Sequence, residues 1–159
     1  MLKRMHKKHF DKLEGILFFC IVFIDQAVKY VVKSGMILGE SIPLVPHIFH
    51  LTYVLNPGAA FGVLENQRIF FVFMGVVLLF CIWKYYPKIR RMDTILHYGC
   101  VALAAGAVGN LIDRIQNGLV VDFLDFRIWP VFNIADIAIV VGVLCMIYAM
   151  LFRMEEEEF

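Results

Sequence analysis

Serine and charge are both scarce in this chain of 159 residues. Serine occurs only at Ser34 and Ser41, which leaves little material for a hydroxyl nucleophile. Charged residues make up 18% of the chain, against about 25% in soluble domains, and the formal net charge is +1. This composition excludes a disordered chain and a broad basic surface for nucleic acid, so no nucleic-acid partner is expected.

Cysteine and histidine also form no pattern that indicates a disulfide framework or a metal site. The five histidines do not provide two His one helical turn apart beside a Glu, which is the arrangement of a zinc peptidase. We therefore expect neither a metal site nor a cofactor. Each cysteine lies within an apolar stretch and is interpreted as a small hydrophobic residue; the four are Cys20, Cys81, Cys100 and Cys145.

Hydrophobic residues, by contrast, make up 61% of the chain, well above the roughly 45 to 50% of soluble domains. The mean hydropathy is +0.76. Four apolar segments are long enough for helices that cross a hydrocarbon layer of about 30 Å. The sequence thus predicts an all-α integral membrane protein, a single membrane domain over residues 1–159. Its four transmembrane helices are expected at about 13–32, 69–86, 94–112 and 134–152.

The distribution of Lys and Arg predicts the orientation of these helices, because short basic loops stay cytoplasmic. Ten Lys and Arg residues lie in the N-terminal arm, the second connection and the tail, whereas only four lie in the first and third connections. Both termini are therefore expected in the cytoplasm. The basic arm and first apolar run are interpreted as an uncleaved signal anchor, because the run contains Asp25 and Lys29 and has no convincing cleavage site.

The two outer connections, 33–68 and 113–133, carry strand-like patterns. In the first, Pro43 and Pro46 interrupt regular structure before a strand-like alternation of side chains from Phe49 to Leu55. Val120 to Phe126 in the third connection is strand-like as well. Together they predict a small β element on the outer surface of the helix bundle, which could clamp an extended peptide by backbone pairing.

Polar residues within the membrane segments converge on the outer side, and ionisable residues there are functional candidates by default. Each group also has a purely structural interpretation. Asp25 and Lys29 have the spacing of a helical ion pair, and Asn133 and Asp136 that of a capping box. Asn110, Asp113 and Arg114 could satisfy a helix end. A stripe of small residues lets the third helix approach a neighbour closely; it comprises Ala102, Gly106, Gly109 and Asn110.

Among hydrolytic chemistries, the residue types of this layer favour carboxylates. Two aspartates that share a site do not both ionise easily, so one stays protonated while the other accepts a proton from water. Such a pair can hydrolyse an amide without a cofactor.

Five short motifs span residues 25 to 136: Asp25–Lys29, Asn56–Gly62, Gly109–Arg114, Val120–Phe123 and Phe132–Asp136. With these motifs the sequence resembles lipoprotein signal peptidase (signal peptidase II), a family of bacterial membrane aspartic peptidases, and the five match in family order. Any one of them is weakly specific, but five in order are strongly so.

The resemblance implies a catalytic pair formed by Asp122 and Asp136. It also implies a location in the bacterial inner membrane, a prolipoprotein substrate cleaved before a diacylglyceryl-modified cysteine, and inhibition by globomycin. We expect membrane lipids as further partners and a monomer. The implied substrate-binding residues are Asn56, Gly58, Asn110, Arg114 and Asn133, with Asp25, Lys29 and Asp113 in support.

The choice of Asp122 over Asp113 also has a basis in the neighbouring residues. Asp113 adjoins Arg114 and can be neutralised locally, whereas apolar neighbours of Asp122 favour a protonated carboxyl. Asp125 is expected to be a surface acid. Two features depart from the family pattern: the connection from residue 122 to 136 is short, and Ile137 stands where a small hydroxyl residue is common.

A rival interpretation is a small transport or channel subunit that uses Asp25, Lys29, Asp113 and Asp136 as an ion or proton relay. Such a relay should place charge at several depths in the bilayer. The inner halves of the last three helices are almost free of charge, which disfavours it.

Overall fold

Four long helices and a three-stranded antiparallel sheet make up the described part of the chain. The computed structural model describes residues 2–58 and 66–153, with side chains from residue 12 onward. Motif residues 59–62 and the basic side chains before residue 12 lie outside the described residues. The elements are α1 (Leu2–Gly35), β1 (Ser41–Val45), β2 (Phe49–Asn56), α2 (Arg68–Met92), α3 (Thr94–Asn117), β3 (Val120–Asp125) and α4 (Ile134–Phe152).

The predicted membrane architecture is confirmed. The described part of the chain contains four helices with the length and composition of membrane spans, at Lys12–Gly35, Arg68–Met92, Thr94–Asn117 and Ile134–Phe152. The first three extend beyond the predicted apolar segments, because helical hydrogen bonding continues past the point where polar residues begin. α3, for example, ends only at Asn117, and the left-handed backbone of the following Gly118 (φ 78°) caps its last turn.

The sheet has the order β1-β2-β3 and connects to the same end of the bundle as the last residues of α1 and α3. We call this the sheet end. The predicted strands at Phe49–Asn56 and Val120–Asp125 are present, but β1 was missed. Pro43 lies within β1, where an edge strand tolerates the missing amide hydrogen. β2 is central, with its two edges paired to β1 and β3, so it has no free edge for the predicted peptide pairing.

α3 is the most buried of the helices and packs against all the others. The predicted small-residue stripe allows its contact with α4: a Cβ on Gly106 would meet the carbonyl oxygen of Ala135 and lie 2.8 Å from Cγ1 of Ile139. Gly99 and Gly142 form a second close approach, which the sequence reading did not single out. Backbone contact between α3 and α4 thus fixes where α4 begins, and with it the position of Asn133 and Asp136.

We expect Gly106→Ala to destabilise the protein by about 1–3 kcal/mol, because the added methyl group meets backbone atoms of α4 that cannot move aside. Thermal unfolding in detergent micelles measures the effect. Gly15→Ala in α1 is the matched control: nothing lies within 4 Å of its Cβ, so the change should be neutral or slightly stabilising. Equal melting temperatures for the two variants would contradict the close packing.

Candidate active site

A buried ionic cluster lies at the sheet end of the bundle. The Lys29 ammonium is 2.9 Å from Oδ2 of Asp25 and 3.0 Å from Oδ2 of Asp113. It also donates to Oδ1 of Asn110 at 3.1 Å. The predicted pair of Asp25 and Lys29 is confirmed, and it is one part of a cluster that joins α1 to α3. Burying a lone ammonium would be costly, so the two carboxylates are what allow Lys29 to be buried here.

The predicted local neutralisation of Asp113 by Arg114 is wrong. Neighbouring residues of a helix point in different directions, so the Asp113 carboxylate turns to Lys29 and also accepts the Val121 amide at 3.1 Å. Arg114 instead donates to the carbonyl of Gly58 at 3.1 Å and lies over the Phe71 ring. Asp113 therefore ties α3 to β3.

Two asparagines connect this cluster to the aspartates of the proposed pair. Oδ1 of Asn110 accepts from Lys29, and its amide nitrogen donates to Oδ1 of Asp136 at 2.7 Å. The amide of Asn133 donates to Oδ1 of Asp122 at 2.7 Å and to Oδ1 of Asn110 at 3.0 Å. Because Lys29 can only donate, it fixes which side of the Asn110 amide faces Asp136.

Asp122 is buried in β3, with 2% of its surface exposed. Its second carboxylate oxygen accepts from Nδ2 of Asn56 at 2.9 Å. Burial, followed by the nearby charge of Asp136, raises the pKa of Asp122 to about 7, although hydrogen bonds from Asn56 and Asn133 act in the opposite direction. The pKa thus lies near neutrality, where the carboxyl exchanges a proton readily.

Asp136 lies in the first turn of α4 and forms the predicted capping box with Asn133. The Asn133 side chain accepts the Asp136 amide at 2.9 Å, and Oδ2 of Asp136 accepts the Asn133 amide at 3.1 Å. Asp25 adds a third interaction by accepting the Ala135 amide at 2.9 Å. The structural interpretation of Asn133 and Asp136 is therefore correct, and it holds the Asp136 carboxylate in one orientation.

Both aspartates line one cavity of about 590 Å³ between the sheet and helices α2, α3 and α4. We call it the carboxylate cavity. The five residues predicted to bind substrate all lie at it or next to it: Asn56, Gly58, Asn110 and Arg114 line the cavity, and Asn133 is hydrogen-bonded to both aspartates. Apolar side chains of α2 and α4 continue the cavity along the bundle, and they include Phe71, Met74, Leu78, Ile139 and Val140.

Asp125 is not the surface acid that was predicted, since only 5% of its surface is exposed. Its carboxylate accepts from Thr52 at 2.7 Å and from the Arg127 guanidinium at 2.9 Å. Burial acts to raise the pKa of Asp125, but these hydrogen bonds outweigh it and hold the pKa below its usual range. Asp125 is not among the residues that line the carboxylate cavity.

Gln26 is a contributor that the sequence reading missed. Its amide donates to Oδ1 of Asp113 and to the carbonyl of Gly109, both at 3.1 Å. The available signal was a polar amide inside an apolar helix, beside Asp25. Within residues 12–58 and 66–153, no three His, Cys, Asp or Glu side chains are grouped as metal ligands.

Comparison with known proteins identifies the family of the chain. The sequence profile of the family described as Signal peptidase (SPase) II matches residues 17–152. The chain belongs to the signal peptidase II family. Among its relatives, the lipoprotein signal peptidase of Pelotomaculum thermopropionicum is 50% identical over 136 residues, which is 86% of this chain and 90% of the relative. That of Staphylococcus aureus is 36% identical over 151 residues, covering 92% and 93% of the two chains.

Two solved structures, each described as a bacterial membrane enzyme, share the fold of this signal peptidase II family member. One superposes with a TM-score of 0.87 at 32% identity and covers 92% of each chain. The other has a TM-score of 0.82 at 33% identity and covers 89% of this chain and 94% of its own. The chain is accordingly a membrane peptidase of the family that processes lipoprotein signal peptides.

Proposed function

We propose that the protein is an aspartic endopeptidase that removes the signal peptide from diacylglyceryl-modified prolipoproteins and cleaves before the lipidated cysteine. Asp122 and Asp136 are the catalytic pair. Substrate binding falls to Asn56, Gly58, Asn110, Arg114 and Asn133, and Asp25, Lys29 and Asp113 support them. The observation that carries the proposal is that Asp122 and Asp136 line one cavity and share Asn133 as a hydrogen-bond partner.

The chemistry follows from the unequal surroundings of the two carboxyls. One is protonated and polarises the scissile carbonyl, while the other accepts a proton from the attacking water. The proton then passes to the leaving amine as the tetrahedral intermediate breaks down. Asn110 and Asn133 hold the carboxylates in place throughout, so no reorganisation of these groups is needed during the reaction.

The cavity also suits a lipidated substrate. Its polar groups lie at the sheet end, and its extension between α2 and α4 is lined by apolar side chains such as Met74, Leu78 and Val140. A substrate that is anchored in the bilayer by its lipid presents the scissile bond at a fixed depth, which reduces the entropy cost of orientation.

The proposed location is the bacterial inner membrane, with both termini in the cytoplasm and the sheet end facing outward. The excess of Lys and Arg at the opposite end supports this orientation. We further propose that the protein is a single membrane domain that works as a monomer without a cofactor, and that globomycin inhibits it.

The ion-relay alternative is disfavoured by the spacing of charge along the helices. Between His97 and Asp113, α3 has no Asp, Glu, Lys, Arg or His, and α4 has none after Asp136. A relay would have to cross this apolar interval, which is about 24 Å long in α3.

The deciding experiment uses purified protein and one prolipoprotein with and without the diacylglyceryl group. We expect cleavage of the modified form only, with mass spectrometry locating the cut immediately before the modified cysteine. Equal cleavage of both forms would overturn the proposed substrate class, and a cut elsewhere would overturn the proposed cleavage position.

The proposal also predicts a pH dependence. With the pKa of Asp122 raised to about 7, the carboxyl is protonated below that pH and ionised above it. We expect kcat/KM to fall as the pH rises through about 7, because the pair then loses its shared proton. Asn56→Ala removes a hydrogen bond that stabilises the ionised form, so it should move this fall to higher pH. An unchanged profile in Asn56→Ala would count against Asp122 as the titrating group.

A further inference from the structure

A second polar cluster, in which Glu14 and His97 are buried, lies at the end of the bundle opposite the sheet, and the proposed chemistry does not use it. Glu14 of α1 is at its centre, with Tyr86 and Arg90 of α2 and His97 of α3 around it. We call these four residues the Glu14 cluster. Oε1 of Glu14 is 3.1 Å from Nε of Arg90 and 3.0 Å from Nε2 of His97. The Tyr86 hydroxyl donates to Oε2 of Glu14 and lies 3.2 Å from Nε2 of His97.

This cluster adds a polar attachment to α2, a helix whose side chains are otherwise only partly covered. None of the described residues of α2 is buried, and α2 packs mainly on α3. At the sheet end its polar attachments to other described residues include Arg68 to the carbonyl of Ile115 and the contact of Phe71 with Arg114. At the other end, Glu14 is 8% exposed and His97 3% exposed. Polar contacts to side chains that are shielded from water are strong and directional, so they fix the position of α2 at this end.

The backbone of α2 is compliant at the same place. Pro87 lies inside the helix, directly after Tyr86. Proline has no amide hydrogen and crowds the preceding turn, so one helical hydrogen bond is missing and the helix can bend there. The direction of α2 beyond this point then depends on the side chains that hold it on either side of Pro87. Tyr86 and Arg90 are those side chains.

A change of direction at this point reaches the carboxylate cavity. Phe71, Met74 and Leu78 of α2 line the cavity opposite Ile139 and Val140 of α4. Phe71 lies 15 residues before Tyr86, about 22 Å along the helix, so a tilt of about 5° at the cluster moves it by about 2 Å. A shift of this size is comparable to the radius of a methyl group and alters the fit of an apolar substrate segment.

We infer that the Glu14 cluster positions α2, and thereby sets the width of the cavity that receives the apolar part of the substrate. Tyr86, Arg90 and Glu14 are on this account positioning residues. The inference rests on the proposed function for its kinetic consequence, whereas the position of α2 is measurable without any activity.

The first test measures the separation of α2 from α4. Spin labels go on Phe73→Cys and Leu144→Cys, whose parent side chains are 62% and 59% exposed, after Cys20, Cys81 and Cys145 are replaced by alanine. In Tyr86→Phe and Glu14→Gln we expect the distance distribution to broaden or shift by about 2 Å. Tyr85→Phe is the matched control: the same chemical change in a neighbouring side chain that is 53% exposed, which should leave the distribution unchanged. Distributions that match the parent in both cluster variants would overturn the inference.

The second test is kinetic and uses the lipidated prolipoprotein. Tyr86→Phe should raise KM by about fivefold and leave kcat within about twofold, since a displaced α2 weakens substrate binding without touching the carboxylates. A fall in kcat at constant KM would overturn the inference. If the parent protein cleaves no prolipoprotein, the proposed function fails, but the spin-label distances still decide whether the cluster positions α2.

Discussion

Replacing Asp122 or Asp136 by asparagine is expected to lower kcat by about four orders of magnitude, because each variant removes one partner of an acid–base pair that acts as a unit. The double variant should be little worse than either single one, since loss of one partner already disables the pair. Turnover of a lipidated prolipoprotein by purified protein measures all three variants. Full turnover in either single variant would refute the assignment of the pair.

The fold of these variants needs its own check. Both oxygens of the Asp122 carboxylate accept hydrogen bonds, from Asn56 and Asn133. An asparagine at this position places its own amide donor against one of these amide donors, so one of the two hydrogen bonds is lost. Thermal unfolding therefore accompanies the kinetics. Asp93→Asn is the matched control, because Asp93 caps α3 at the opposite end and asparagine caps a helix equally well. Activity of this variant should match that of the parent protein.

Asp113→Asn distinguishes a supporting role from a catalytic one. Asp113 contacts Lys29 and the Val121 amide, so its neutralisation disturbs the position of β3 without removing either carboxyl of the pair. We expect a smaller loss of turnover than in Asp122→Asn. A loss as large as that of Asp122→Asn would indicate that Asp113 takes part in the chemistry.

The sequence was sufficient for those parts of the molecule that depend on composition and local spacing. The four spans follow from long apolar runs. The pair of Asp25 and Lys29 and the capping box of Asn133 and Asp136 each lie within one helical turn, where spacing determines contact. The ranking of Asp122 above Asp113 came from the resemblance and from the residues adjacent to each aspartate. It stays a prediction, and its premise that Arg114 neutralises Asp113 is wrong.

Contacts that depend on packing between distant elements could not be predicted in this way. Asp113 binds Lys29, 84 positions earlier in the chain, and not its neighbour Arg114. Asp125 is buried because Thr52 and Arg127 satisfy its carboxylate. Glu14 looks like part of a charged helix end, and the partners that bury it come from α2 and α3. In each case the sequence shows a charge but not its partner.

Lys29→Met should destabilise the protein by about 3–5 kcal/mol, because it leaves the buried carboxylates of Asp25 and Asp113 without a counter-charge. It should also lower turnover, since Oδ1 of Asn110 loses one of the two donors, Lys29 and Asn133, that orient its amide towards Asp136. Unfolding measurements and prolipoprotein cleavage report the two effects separately.

The matched control is Lys33→Met, one helical turn further along α1, where the lysine is exposed and the change should cost little. Adding Asp113→Asn to Lys29→Met removes one of the two unpaired charges, so it should recover part of the lost stability. It should not recover the turnover, because Oδ1 of Asn110 still lacks the Lys29 donor and is held by Asn133 alone. A Lys29→Met protein that is as stable as Lys33→Met would show that the buried cluster does not depend on its ammonium.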